Sequence, residues 1–356
     1  MKRISALASS RLCSIVLAAA SVSNGVLAEE GEAPTTPADW LHAMDDAFRS
    51  LDYDGVFEYS IASHSQIRIQ KRQGNRAFSV TADLAHDIKV ASFRIVHMVV
   101  DGVEHERIAH RGGPRREILR TGGQVSYVLP EGDDSFALAE DLPTGPYPRR
   151  FMRSEDLSAN YRFDLSGRSS VIGRPTVCLE VHPLDDNRYG FLLWLDEETG
   201  LLLRSELRDA TGRYLERVEF VSLKVGASVS QDALQPGMPG VLMRPSVEFN
   251  EVPAPPTVPV SWKIGWVPPG FRITDAYPQE AKRGVHVMFN DGLATFSVFV
   301  EAAPQSAAGG VFSRNGATVL LSHDLTGERG DYLVTVVGEV PPETAHRIAE
   351  SVGRGQ

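Results

Sequence analysis

The chain has 356 residues, 36 Lys and Arg against 46 Asp and Glu, a net charge of −10 and only two cysteines. Such a length exceeds one ordinary core and suits two domains of ~100–200 residues each. The acidic balance excludes nucleic-acid binding by counterion release, so any contact with phosphate or lipid headgroups has to come from a local basic cluster.

Lys2, Arg3 and Arg11 flank the start of an apolar run from Leu12 to Ala20, and Val26-Leu27-Ala28 precedes Glu29-Glu30. A basic start, a short apolar stretch and a small-residue cleavage site describe a secretory signal peptide, residues 1–28, cut near Ala28. The run is too short to span ~30 Å of hydrocarbon as an anchor. Cys13 stands at its start, where a lipoprotein would have its cysteine after it. The mature chain is therefore expected outside the cytoplasm. Cleavage leaves 328 residues and, with Lys2, Arg3 and Arg11 gone, moves the net charge from −10 to −13. Cys178 is then the one cysteine left, either a small strand residue or a reactive thiol.

Next comes a helix. Thr36 can cap it, Pro37 suits its first position, Asp39 completes a capping box, and Trp40, Leu41, Met44, Phe48 and Leu51 fall near one face. Asp54-Gly55 is expected to stop it. From there to about residue 225 the period is two: Phe57, Tyr59 and Ile61 alternate with Glu58 and Ser60, and Val125, Tyr127 and Leu129 with Gln124 and Ser126. Tyr214, Val218 and Phe220 are expected on one side, opposite Arg217 and Glu219. Turn signals at Asp101-Gly102, Gly112-Gly113, Gly122-Gly123, Thr199-Gly200 and Thr211-Gly212 argue an antiparallel meander. Three prolines between 141 and 148 predict an extended loop.

Seven prolines between 236 and 259 mark a stiff linker. The expected organisation is a large β domain over 29–225, a linker over 226–259 and a small domain over 260–356. Within the small domain, strands are expected at 284–289, 293–301, 316–322 and 332–338. A closing helix begins at Pro341, with Ala345, Ile348, Ala349 and Val352 on one face.

Catalytic signatures are scarce. The chain has no G-x-S-x-G elbow, H-E-x-x-H, P-loop or C-x-x-C. His97, His105 and His110 form the densest histidine group, but an odd separation puts His105 and His110 on opposite strand faces. Asp133-Asp134 and Glu197-Glu198 sit at expected turns. No metal or other cofactor is expected, and the chain reads as a non-enzyme.

Two features stand above background. Arg111, Arg115, Arg116 and Arg120 surround a Gly-Gly-Pro turn, followed by Arg149, Arg150 and Arg153; these are either phosphate- or acidic-peptide-binding loops or ordinary solvated ones. The run from Tyr189 to Leu195 is nearly all apolar, and Leu201 to Leu203 follows it. A strand apolar on both sides is covered on both sides, by packed core or by an apolar ligand such as an acyl chain.

DNRYGF from Asp186, LDEETGL from Leu195, LERVEF from Leu215, WVPPGF from Trp266, DGLATFSVFVE from Asp291 and VTVVGEVP from Val334 resemble the MucB/RseB family of envelope-stress regulators. The likeness spans nearly the whole chain after the export segment and is weaker over 60–125 and the linker. It implies an α+β, mostly antiparallel fold. The N-terminal domain would be a large open half-barrel of the lipoprotein-carrier type, and the C-terminal domain a smaller sheet with a helix. It also implies a periplasmic location and a function: binding the periplasmic region of a membrane-spanning anti-sigma factor, shielding it from the site-one protease, and releasing it on a lipid or lipopolysaccharide-type signal.

The resemblance carries no contact residues across, so the candidates are physical ones. For an acyl ligand they are Phe57, Tyr59, Tyr127, Phe191, Trp194 and Phe220. For the protein partner they are Trp262, Trp266, Phe271, Phe296 and Phe299, because aromatic anchors dominate interface energetics. A periplasmic lipid or lipoprotein carrier is the alternative reading, a hydrolase a third, and homo-oligomerisation is left open.

Overall fold

The computed structural model describes residues 34–62, 66–73, 76–83, 88–112, 116–130, 157–226, 229–243, 262–279, 284–303, 310–327 and 330–354. The export segment, the proline-rich stretch 141–148, Asp133-Asp134 and most of the linker lie outside them.

Helix α1 (Pro37–Ser50) begins as expected. The Thr36 hydroxyl accepts from the Asp39 amide at 3.2 Å, and the Asp39 carboxylate accepts from the Thr36 amide at 2.9 Å. Amide donation from Thr36 and Thr35 holds that carboxyl below its ordinary value. Trp40, Met44, Ala47 and Phe48 are buried along one stripe. The helix stops earlier than expected, at Ser50 with Leu51 as cap. Asp54 and Gly55 lie inside strand β1 (Tyr53–Ala62) instead. Gly55 is needed there because a Cβ would come within 2.6 Å of the Phe220 ring on the neighbouring strand.

A long meander follows: β2 (Gln66–Gln73), β3 (Arg76–Asp83), β4 (Ile88–Val100), β5 (Val103–Arg111), β6 (Glu117–Thr121), β7 (Gln124–Leu129), β8 (Tyr161–Val171), β9 (Arg174–Pro183), β10 (Gly190–Asp196), β11 (Leu202–Arg208), β12 (Tyr214–Val225) and β13 (Val241–Met243). Asp101-Gly102 turns β4 into β5 with both residues at positive φ, the backbone a tight two-residue hairpin requires. All but β2 and β3 form one sheet in the order β13-β7-β6-β5-β4-β1-β12-β11-β10-β9-β8. Among the described residues its two ends do not pair with each other, so the sheet is open, and every described pairing is antiparallel.

The remaining strands are β14 (Trp262–Ile264), β15 (Arg272–Gln279), β16 (Gly284–Asn290), β17 (Thr295–Ala302), β18 (Val311–Asn315), β19 (Thr318–Gly327) and β20 (Gly330–Gly338); α2 (Pro342–Glu350) and β21 (Val352–Arg354) close the chain. The four strands expected here are all present, and β15 and β18 are additional to them. They build a second sheet ordered β15-β16-β17-β20-β19-β18-β2-β3. The hairpin β2–β3 therefore leaves β1 and β4, which pair directly with each other, and joins the other sheet through β18. Ala345, Ile348 and Ala349 of α2 pack into a second core with Val287, Phe296, Val298, Val319, Val334 and Val336.

One face assignment changes. A bulge opposite the Leu207/Arg208 step resets β12, so Tyr214 pairs with Arg208 while Glu216 pairs with Leu207. Tyr214 thus shares a side with Arg217, whose guanidinium lies 4.4 Å from its ring, and not with Val218 and Phe220.

Candidate binding site

The inner face of the first sheet carries an aromatic ladder. Phe220, Phe57, Phe93 and His110 stand directly opposite one another across β12, β1, β4 and β5. Phe57 meets Phe220 edge-on at 6.1 Å and stacks on Phe93 at 5.3 Å, and Phe93 meets His110 edge-on at 4.8 Å. Such pairs form where registers place rings opposite each other. Phe57 and Phe220 are fully buried, whereas Phe93 and His110 are half-buried. The Nδ1 of His110 is buried without a hydrogen-bond partner.

Five of the six acyl-ligand candidates share this face. Phe57, Phe191 and Phe220 are core residues, Tyr59 and Tyr127 are partly buried against that core, and the Tyr59 hydroxyl donates to Glu216 at 2.8 Å. Trp194 is three residues from Phe191 and so faces the other way. There it lies beneath Arg204, 4.2 Å from the guanidinium. Arg204 belongs to a polar cluster centred on Glu206, which also accepts from Arg208 Nε at 2.9 Å and Arg217 Nε at 2.8 Å. Burial would raise the Glu206 carboxyl, but the arginines around it outweigh that and hold it low. Cys178 sits opposite Trp194 on β9, and burial pushes its thiol up, which disfavours the reactive thiolate.

Where the two sheets meet, a second set of residues converges. Asp291, in the turn between β16 and β17, accepts from Arg188 Nε at 2.6 Å and from the Tyr161 hydroxyl at 2.9 Å. Its other carboxylate oxygen caps its own turn, accepting from the Leu293 and Ala294 amides at 3.0 and 2.8 Å. Arg188 also donates to Asp185 and to the Pro269 carbonyl, and its guanidinium lies 5.1 Å from the Phe271 ring. Burial alone would lower the Arg188 pKa, yet the Asp185 and Asp291 carboxylates raise it above its ordinary value. Beside it the Tyr189 hydroxyl donates to the Val340 carbonyl at 3.1 Å, and burial pushes that phenol up to about 12. A further contact is made by the turn between β18 and β19. There the Ala317 amide donates to Glu216 at 3.0 Å, and a Cβ on Gly316 would come within 2.8 Å of Ile61.

The partner candidates divide between core and surface. Trp262, Phe271 and Phe296 are buried in the second core, with Phe271 and Phe296 5.0 Å apart. Trp266 is half-buried beneath Arg347 at 3.8 Å. Phe299 lies on the opposite face of the sheet from Phe296, half-buried and stacked on His286 at 4.2 Å.

Among the basic residues, Arg111 ends β5 exposed, and Arg116 is half-buried just before β6. Arg120 stands within β6, buried, with Glu106 3.6 Å away. Arg115, Arg149, Arg150 and Arg153 lie outside the described residues. Another buried pair holds the segment before β13. Arg107 and Glu117 join through two 2.8 Å hydrogen bonds; Arg107 also donates to the Ala233 carbonyl, and Glu117 accepts from the Gly237 amide at 3.0 Å. Sequence reasoning missed Arg188, Asp291, Tyr161 and His286. The first two lie within the distinctive strings, but only the fold brings those strings together. Among the described residues, no three His, Cys, Asp or Glu side chains converge as a metal would require.

The chain matches the MucB/RseB N-terminal domain over residues 66–238 and the MucB/RseB C-terminal domain over residues 256–353. It is 34% identical to the sigma factor AlgU regulatory protein MucB of Pseudomonas aeruginosa, over 88% of this chain and 90% of that one. It is 29% identical to the sigma-E factor regulatory protein RseB of Escherichia coli, over 95% and 97%. Among solved structures, MucB in complex with MucA(peri) superposes with a TM-score of 0.68 at 31% identity, covering 90% of this chain and all of that one. With both domain models matched in order and full-length relatives covered almost end to end, this chain belongs to the MucB/RseB family.

Proposed function

We propose that this protein is a periplasmic negative regulator of an envelope-stress sigma factor. In this reading it binds the periplasmic region of a membrane-spanning anti-sigma factor and shields it from site-one proteolysis. A lipid or lipopolysaccharide-type ligand, taken up on the inner face of the first sheet, favours the released state. The observation that carries the reading is the superposition on MucB solved with MucA(peri), which extends over both sheets. The relatives are described as regulatory proteins, which supports a binding role without catalysis.

Export rests on the expected signal peptide, and the division into 29–225, 226–259 and 260–356 is part of the proposal. Among the described residues no helix is long and apolar enough to cross a membrane. The half-buried end of the aromatic ladder at Phe93 and His110 supports the ligand-binding half of the reading, since an apolar chain there would extend an existing ring stack. To move the client from mostly bound to mostly free, the ligand must prefer the released state by about 5 kcal/mol. One acyl chain can supply that, at ~0.8 kcal/mol per buried CH₂.

The test is capture of the anti-sigma periplasmic segment by the full chain, followed by limited proteolysis of that segment with and without lipopolysaccharide. Failure to capture it would sink the regulator. Transfer of bound lipid to acceptor vesicles without any client protection would favour the carrier instead.

A further inference from the structure

The two large sheets present four ends among the described residues, and three of them discourage another strand from adding. β13 is only three residues long. β8 is bulged between Leu165 and Gly167 and carries Arg162, Asp164 and Arg168. β15 is bulged between Ile273 and Asp275 and contains Pro278. Short length, bulges, charge and proline all protect an edge, because each spoils the row of backbone donors and acceptors that an incoming strand would use.

β3 has none of these over its middle. It pairs with β2 in unbroken register from Gln66 opposite Asp83 to Gln73 opposite Arg76. From Ala77 to Ala82 it has no charged residue and no proline, while Phe78, Val80 and Thr81 favour strand. Two residues separate the opposed Gln73 and Arg76, so that pair exchanges both hydrogen bonds and the pattern alternates from there. The backbone amides of Phe78 and Val80 then face β2, and those of Ala77, Ser79 and Thr81 face away from it.

The charge of this hairpin selects what adds to it. Residues 66–83 contain Arg68, Lys71, Arg72 and Arg76 against a single acidic residue, Asp83 at the far end of β3, within a chain of net charge −10. A second copy of the same edge would set two basic hairpins side by side, whereas an acidic strand is attracted. We propose that β3 is a docking edge on which an extended, acidic segment of a partner polypeptide adds as a further strand of the second sheet. This rests on the reading that the chain grips a polypeptide client, and adds where and in which conformation the client is held. Main-chain hydrogen bonds along β3 supply the grip, and the basic hairpin supplies the preference for acidic sequence.

The experiment is residue-resolved amide exchange on the full chain with two probes: the MucA periplasmic domain, and a synthetic peptide of alternating glutamate and valine. The expected result is slowing of the Ala77, Ser79 and Thr81 amides by about tenfold or more on adding either probe, with the peptide's effect reduced in ~0.5 M NaCl. S79P, which removes one outward amide, should weaken binding of both probes by about tenfold, while S79A should not. The exchange readout on the unaltered chain stands even if the proline variant misfolds. Binding of the MucA domain with those three amides unchanged overturns the docking edge and leaves the regulator reading intact. Peptide protection of β3 without MucA binding supports the edge and counts against that reading. Absence of protection with both probes overturns the edge. Protection that grows with protein concentration alone assigns the edge to a second copy and overturns the acidic partner.

Discussion

Arg188, in the turn between β9 and β10, and Asp291, in the turn between β16 and β17, form an ion pair 2.6 Å long between side chains that are 1% and 0% exposed. Each is saturated by further partners: Asp185 and the Pro269 carbonyl for the guanidinium, Tyr161 and two backbone amides for the carboxylate. A buried pair satisfied in this way adds little net stability over an apolar pair but is very sensitive to loss of one member. Its role is positional: it holds the WVPPGF and DGLATF turns against the DNRYGF segment, and so holds the second sheet against the first.

Replacing Asp291 with Ala should therefore cost about 3–5 kcal/mol, since a guanidinium is left buried without its carboxylate. Urea unfolding followed by fluorescence checks this. The paired replacement Arg188→Met with Asp291→Leu should recover much of the loss. A single-variant cost below about 1 kcal/mol would show that the junction is not held here.

His286 gives the protein an acid sensitivity. The ring is buried with neither nitrogen hydrogen-bonded. It lies between Phe299, stacked at 4.2 Å, and the edge-on Tyr277 ring at 4.7 Å. Burial lowers its pKa below the ordinary value near 6.5, against the pull of Asp275. The unfolded chain therefore binds the proton more readily than the folded one. The stability at stake is fully present above about pH 6.5 and is lost as pH falls through the lower folded value. H286F, which keeps the ring stack, should flatten stability against pH below about 6.5 while leaving it nearly unchanged at pH 8. Thermal melts at the two pH values decide it.

The segment before β13 should release in acid too, through Glu117. Burial opposes ionisation of this carboxyl, but donation from Arg107 and Gly237 holds it below the ordinary carboxylate value. Its contribution is complete above about pH 4.3 and falls away as pH drops through the depressed folded value. Glu117→Gln should bring that loosening to neutral pH, cost about 3 kcal/mol and speed exchange of the Gly237 amide. Unchanged exchange at Gly237 would mean that other contacts hold the segment.

Gly200 ties the β10–β11 turn to α1. Its φ is +75°, and a Cβ would lie 2.7 Å from the Ala43 carbonyl oxygen of the helix. Gly200→Ala combines left-handed strain of about 1–2 kcal/mol with a backbone clash that only helix displacement relieves. A fall of several degrees in Tm is expected for that loss. An unchanged Tm would show that α1 is free to shift at no cost.

Core and ligand roles on the inner face separate by mutation. Phe57→Ala empties a fully buried site and should cost about 3–5 kcal/mol whether or not lipid binds there. Tyr127→Ala, at a partly buried position, should cost less stability and weaken binding of a fluorescent acyl probe. Equal probe affinity in the Tyr127 variant would remove it from the ligand surface.

Much of this architecture is legible in one dimension because it is local. The capping box of α1, the turn at Asp101-Gly102 and the alternation of Phe57 with Glu58 all depend on neighbours a few residues apart, and each stands as read. The distinctive strings likewise identify the family without any coordinates. What only the tertiary structure decided is non-local. A period of two says which residues share a face but not which sheet a hairpin joins, so β2–β3 crossing to β18 is invisible in the pattern. One bulge, set by pairing between strands, turned Tyr214 to the other side. Aromatic richness cannot distinguish a core ring from a contact ring, because burial depends on what folds back over it; hence Phe296 is interior while Phe299, three residues on, is half-buried on the far face. Arg188 and Asp291, 103 residues apart, read as two ordinary charges until folding removes the water between them.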